Sequence, residues 1–130
     1  MMQDIKFLTE GGFTGKVVLE IGPGDIRHMK FWKSKPSKYL LGEIDNTMLI
    51  KGEKILKNND ISVESVLLER RQMLPFQDNS IDYIVTFYSL GHIDPIDDYL
   101  VELKRVLKVG VKLWVRFLQK VALHVEWEDI

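Results

Sequence analysis

Apolar and polar positions along the chain fall into two alternating patterns, short apolar runs and stretches of helical spacing. Residues 16–25 read KVVLEIGPGD, and three of the four residues before Glu20 are apolar. Such a run suits a buried strand of a parallel sheet. The Gly22-Pro23-Gly24-Asp25 turn that follows holds two glycines without a Cβ, so the backbone can turn sharply and approach a ligand closely. Asp25 predicts the cap of a helix on which Ile26, Met29 and Trp32 recur at helical spacing, and Ser34-Lys35-Pro36 ends it. Before the run, residues 1–15 carry Phe7-Leu8 and then Gly11, Gly12 and Gly15, which read as an entry segment and a loop.

The same two patterns continue. Residues 39–44 predict a second strand with Glu43 at its end, and Asp45 predicts the N-cap of a helix carrying Met48, Ile55 and Leu56. Gly52 weakens that helix while allowing close packing, and Asn58-Asn59-Asp60 closes it. A third strand is expected over 61–68, a long turn containing Leu74-Pro75-Phe76 over 70–79, and a fourth strand over 81–87. Asp94-Pro95 then starts a helix with Ile96, Leu100, Leu103 and Leu107 as its core stripe and Glu102, Lys104, Arg105 and Lys108 facing out. Gly110 is expected to close it. Residues 111–118 alternate as a fifth strand, and 121–127 read as one more. Alternating strands and helices predict an α/β sandwich with a mainly parallel sheet, and a strand, glycine turn and helix mark the crevice where such sheets bind nucleotides.

Composition narrows the picture. A chain of 130 residues with 45% hydrophobic content is expected to form a single domain over 1–130. Lysine plus arginine (18) nearly balances aspartate plus glutamate (19), so nothing draws the chain to nucleic acid or a membrane surface. The lysines at 30, 33, 35, 38, 51, 54 and 57 read as solvated faces or as a local basic face. The absence of cysteine excludes a disulfide framework, a thiolate metal site and a cysteine nucleophile. With no signal-peptide start and no membrane-spanning run, a soluble cytoplasmic protein is expected.

Five stretches in order, VVLEIGPGD, GEIDNTML, MLPFQDNSIDYIVT, YSLGHI and ELKRVLKVG, carry a resemblance to class I methyltransferases that use S-adenosylmethionine, of the small-molecule type. It covers about residues 16–117 and implies a three-layer, Rossmann-like sandwich. In that family's pattern Glu20 would serve the ammonium and sulfonium side of the cofactor, and the backbone around Gly22, Pro23, Gly24 and Asp25 would approach its carboxylate and ribose. Glu43 aligns with the acid that accepts from both ribose hydroxyls, a task for an acceptor-only side chain; the alternative is an exposed strand-end acid. Ile44 would pack on the adenine face. Arg70 stands where relatives carry an aspartate, so Glu69 or Gln72 and the backbone at Arg71 would meet the adenine instead. Leu74 and Phe76 read as core packing, and Asp82 as a brace at the start of its strand. Residues 86–92, with Phe87 and Tyr88 among them, would line the methyl-transfer end. His92 there is either a general base or a residue that orders the segment. Tyr88 and Asp94 are further candidates, Asp94 also serving as a helix cap. No cluster has metal-ligand spacing.

Three departures stand out. Ile26 occupies the position of the usual third glycine, where a branched side chain is expected to hold helix and strand apart and narrow the crevice. Val109 and Val111 replace the usual proline and second glycine after ELKR. Only thirteen residues follow Phe117, so the sheet is expected to be truncated after its fifth strand and to leave the edge at 111–118 exposed, favouring a homodimer whose partner completes the acceptor site. The resemblance thus implies methyl transfer from S-adenosylmethionine to an unidentified oxygen or nitrogen acceptor. The competing reading is a non-catalytic binding or assembly module of the same fold. A nicotinamide dehydrogenase fits less well, because the glycine spacing lacks the longer dinucleotide fingerprint.

Overall fold

The computed structural model describes residues 12–22, 26, 29–30, 32–68, 73–87, 96–117 and 121–126. Among them, strands β1 (Val17–Ile21), β2 (Lys38–Glu43), β3 (Val63–Leu67), β4 (Ile81–Phe87), β5 (Leu107–Phe117) and β6 (Val121–Glu126) accompany helices α1 (Asn46–Asn58) and α2 (Ile96–Val106). The strands form one sheet in the order β3-β2-β1-β4-β5-β6. All neighbours are parallel except β5 and β6, which run antiparallel. The mainly parallel sheet is as expected, and it continues past the fifth strand into the sixth. That continuation corrects one expectation: β6 pairs along the outer side of β5, so residues 112–117 are not an open edge. Among the described residues the outermost strands are β3 and β6.

Side-chain alternation along the strands builds two cores. Val17, Leu19 and Ile21 of β1 join Leu40, Ile84 and the α2 residues Leu100, Leu103 and Val106 on one face. Val18 joins Tyr39, Leu41 and Val85 on the other, against Leu49 and Leu56 of α1 and against Phe13 and Ile26. A sheet that is apolar on both faces needs a helical layer on each, which makes the three-layer sandwich.

Local chemistry sets the element ends. Asp45 caps α1 as expected, its Oδ1 accepting from the N–H groups of Thr47 (2.9 Å) and Met48 (3.2 Å). Helix α2 ends four residues earlier than the glycine at 110 suggested. Its last carbonyls are taken by the N–H groups of Asn79 (to Arg105, 2.9 Å) and Ser80 (to Val106, 2.9 Å), so no glycine cap is required. The chain passes directly into β5. Between Ile81 and Tyr83 of β4 the partner on β5 jumps from Leu107 to Lys112, so Val109, Gly110 and Val111 lie in a ladder irregularity rather than at a helix end. Lys108 belongs to that strand rather than to the helix, and it is exposed as expected. It donates to Asp82 Oδ1 (2.9 Å) while the Val17 N–H donates to Oδ2 (2.9 Å), so buried Asp82 ties the start of β4 to β1 and β5, the bracing role expected of it.

The helix expected after β1 is also different. Met29 donates to the Ile26 carbonyl and Trp32 to that of Met29, each at 3.1 Å, an i to i+3 spacing of the 3₁₀ kind. Ile26 has φ +52°, which no α-helix accommodates, so the helical spacing of these three residues reflects 3₁₀ turns at this point. Its side chain is 2% exposed within the second core.

Candidate active site

Strand order reverses at β1, which lies between β2 and β4 with all three running in the same direction. Open parallel sheets bind their ligands at the carboxyl ends of the strands at such a switch point. Register places those ends side by side: Ile21 beside Gly42, Glu20 beside Val85, and Phe87 two residues beyond. The backbone of Thr86 and Phe87, expected at the methyl-transfer end, therefore runs out toward that edge.

Glu20, the last but one residue of β1, is 1% exposed. Its Oε1 accepts from the Tyr39 hydroxyl, a residue of the neighbouring strand that the sequence did not mark. Tyr39 is fully buried, stacked on Trp32 with ring centroids 5.0 Å apart, and Phe13 meets Trp32 edge-on at 5.3 Å. Burial, reinforced by the charge of Glu20 and the bond to it, pushes the Tyr39 phenol well above its ordinary range. Tyr39 therefore stays a donor at any pH where the protein is used. Gly22 follows at φ +67°, and its N–H donates to the Gly42 carbonyl at 2.8 Å, so the chain leaves β1 by a left-handed turn pinned to β2.

Glu43 ends β2 half-buried. Its Oε1 accepts from the N–H groups of Ile44 (2.9 Å) and Asp45 (3.2 Å), while Oε2 has no partner among the described residues. A carboxylate held this way keeps one oxygen for a ligand. Ile44, beside it, is 48% exposed, an apolar surface at the same strand end. Gly42 is buried, and a Cβ there would lie 2.7 Å from Leu68 Cδ1, so this end of β2 packs tightly against the chain leaving β3.

The turn at 74–78 is held from α2. Glu102 Oε1 accepts from the Leu74 N–H (2.7 Å), and Arg105 donates to the carbonyls of Leu74 (2.8 Å) and Phe76 (2.9 Å) and to Asp78 (2.6 Å). The two side chains also pair with each other at 2.6 Å and are only 14% and 24% exposed, so both were wrongly expected to face out. Arg105 chiefly, with the Leu74 N–H helping against burial, holds the Glu102 carboxyl below its ordinary range. An Arg-Glu pair three residues apart on a helix could have signalled a clamp only with the position of the turn in hand. Leu74 is buried and Phe76 packs against the same core, as expected.

Pro23, Gly24, Asp25, Arg71, Gln72, Tyr88 and His92 lie outside the described residues, as do Glu69, Arg70 and Asp94. Among the described residues no group of three or more histidine, cysteine or acidic side chains is placed to hold a metal ion, and no helix is long and apolar enough to cross a membrane.

A family model described as a methyltransferase domain matches residues 19–115, from β1 to β5. The chain belongs to this methyltransferase family. Among curated relatives, the ubiquinone/menaquinone biosynthesis C-methyltransferase UbiE of Cupriavidus metallidurans is 32% identical over 110 residues, covering 82% of this chain and 45% of its own length. The methyltransferase domain described here thus spans less than half of that relative. Among solved structures, a SAM dependent methyltransferase from Aquifex aeolicus has a TM-score of 0.69 at 22% identity, covering 86% of this chain and 62% of its own. The [4+2]-cyclase SpnF has a TM-score of 0.72 at 19% identity, covering 87% and 43%. These two likenesses establish the fold.

Proposed function

We propose that the chain is a single S-adenosylmethionine-dependent methyltransferase domain acting on a small acceptor. The observation that carries this reading is the Glu43 carboxylate, held by two N–H groups at a strand end beside the switch point, with its second oxygen left for a diol. Membership of the methyltransferase family supports it independently.

When bound, the cofactor supplies a methyl carbon on a cationic sulfonium, open to in-line attack by an acceptor atom. Glu43 would take the ribose hydroxyls, Ile44 one face of the adenine, and the backbone around Gly22, Pro23, Gly24 and Asp25 the carboxylate end. Glu20 would set a negative charge on the sulfonium and ammonium side. Gln72 and the backbone at Arg71 would meet the adenine edge, with Phe87 and Tyr88 at the transfer end. In-line displacement needs alignment above all, so a base such as His92 is required only when the acceptor must lose a proton. Oxygen and nitrogen acceptors were expected; the relative named a C-methyltransferase adds carbon to that set.

The test is transfer of labelled methyl from S-adenosylmethionine to a panel of small phenols, amines and unmethylated quinols. Transfer to any of them supports the reading. Cofactor binding without transfer to the whole panel would favour the non-catalytic module, a reading motivated by Ile26 and by a fold neighbour named for cyclisation instead of methyl transfer. We further propose a cytoplasmic homodimer. The cysteine-free composition fits a reducing compartment, and the outer side of β6 is an unpaired strand edge among the described residues. A monomeric mass by light scattering at micromolar concentration would remove the dimer.

A further inference from the structure

We infer that Tyr39 is a positioning residue for cofactor selectivity, acting through Glu20. This rests on the methyltransferase reading above and goes beyond it, because Tyr39 belongs to none of the stretches that carry the family resemblance. Glu20 is a carboxylate at the switch point with almost no exposure, and an ionised acid in such a place needs donors to keep its charge and one orientation. Tyr39 donates one of those bonds. Its ring cannot swing away: it is fully buried, stacked on Trp32, and packed in the core that also holds Phe13, Ile26 and Leu41. Register explains the reach. Tyr39 pairs with Val18, two residues before Glu20 on the same face, and a tyrosine is long enough to span that offset where a shorter polar residue is not. The arrangement therefore fixes where the negative charge sits relative to the glycine turn. A ligand whose sulfur is cationic gains from that charge, one with only an ammonium gains less, and one with neither gains nothing.

The experiment measures dissociation constants of the 130-residue chain for S-adenosylmethionine, S-adenosylhomocysteine and 5′-methylthioadenosine. These share the adenosine but differ in sulfonium and amino-acid groups. Tyr39→Phe keeps the buried ring and its stack and removes only the hydroxyl. The expected result is about tenfold weaker binding of S-adenosylmethionine, a smaller loss for S-adenosylhomocysteine and none for methylthioadenosine. Glu20→Gln, which keeps a group for Tyr39 to bond while removing the charge, is expected to give the same order of losses. Equal losses for all three ligands in Tyr39→Phe would show a merely structural role and overturn the inference. Unchanged selectivity in Glu20→Gln would overturn it even if Tyr39→Phe failed to fold. If the wild-type chain bound none of the three, the methyltransferase reading itself would fail and this inference with it.

Discussion

Ile26 is a β-branched residue at φ +52°, immediately after the glycine turn, and almost completely buried. Two effects of opposite sign meet there. The left-handed backbone costs a non-glycine residue about 1–2 kcal/mol. Burial of the side chain against the cluster of Phe13, Tyr39 and Leu49 returns more, since truncating a buried isoleucine to alanine costs about 2–5 kcal/mol. Ile26→Ala and Ile26→Gly should therefore both be less stable than wild type. Their order is the informative part. At an ordinary φ the glycine variant is the weaker by about 0.5–1 kcal/mol, because glycine has more freedom to lose on folding. At a positive φ alanine keeps the backbone penalty that glycine escapes, and the order reverses by about 1 kcal/mol. Urea unfolding of the two variants measures this directly, and in a chain of 130 residues the difference corresponds to roughly 4 °C in Tm. An alanine variant as stable as the glycine variant, or more so, would show that the positive φ of Ile26 carries no such penalty.

The clamp on the turn at 74–78 should be of comparable weight. Arg105→Ala removes the donors to the Leu74 and Phe76 carbonyls and to Asp78 and is expected to cost about 2–3 kcal/mol by chemical denaturation. Arg105→Lys should recover less than half of that, because one ammonium cannot reproduce a fork that serves both carbonyls and two acids. Acid sensitivity follows from Glu102. Its carboxyl is lowered from 4.5 in the folded chain, mainly by Arg105, so it contributes stability that is present above that value and lost as pH falls through the folded one. Glu102→Gln should lower Tm at pH 7 and flatten the decline below about pH 4.5; an acid limb as steep as that of the wild type would show that Glu102 is not its source.

The parts of this molecule that depend on neighbours in sequence were legible in it. Residues 16–19 announced β1, Asp45 its helix, and residues 81–87 the fourth strand at its observed limits. Glu43 was legible as a strand-end acid, because its two N–H donors are the next two residues. Contacts across register were not. Tyr39 reaches Glu20 from the adjacent strand, and Arg105, drawn on an outward face by helical periodicity, reaches a turn 27 to 31 residues away. The early end of α2 was hidden for a related reason: its last carbonyls are satisfied by Asn79 and Ser80, and a distant pair of donors leaves no glycine or proline signal. The turns around Met29 show the reverse failure, in which helical spacing was present but the bonds to Ile26 and Met29 are of the 3₁₀ kind and Ile26 has a positive φ.

Cofactor binding at Glu43 is decided by thermal unfolding of the chain with S-adenosylhomocysteine, beside the same titration of Glu43→Ala. Ligand at a hundredfold excess over its dissociation constant stabilises a folded domain by roughly 2.7 kcal/mol, which here is a rise on the order of 10 °C. That rise is expected for the wild type and its loss in Glu43→Ala, with the Tm in the absence of ligand little changed. A well-folded wild type that shows no shift at millimolar ligand, or an equal shift in Glu43→Ala, would contradict cofactor binding at Glu43.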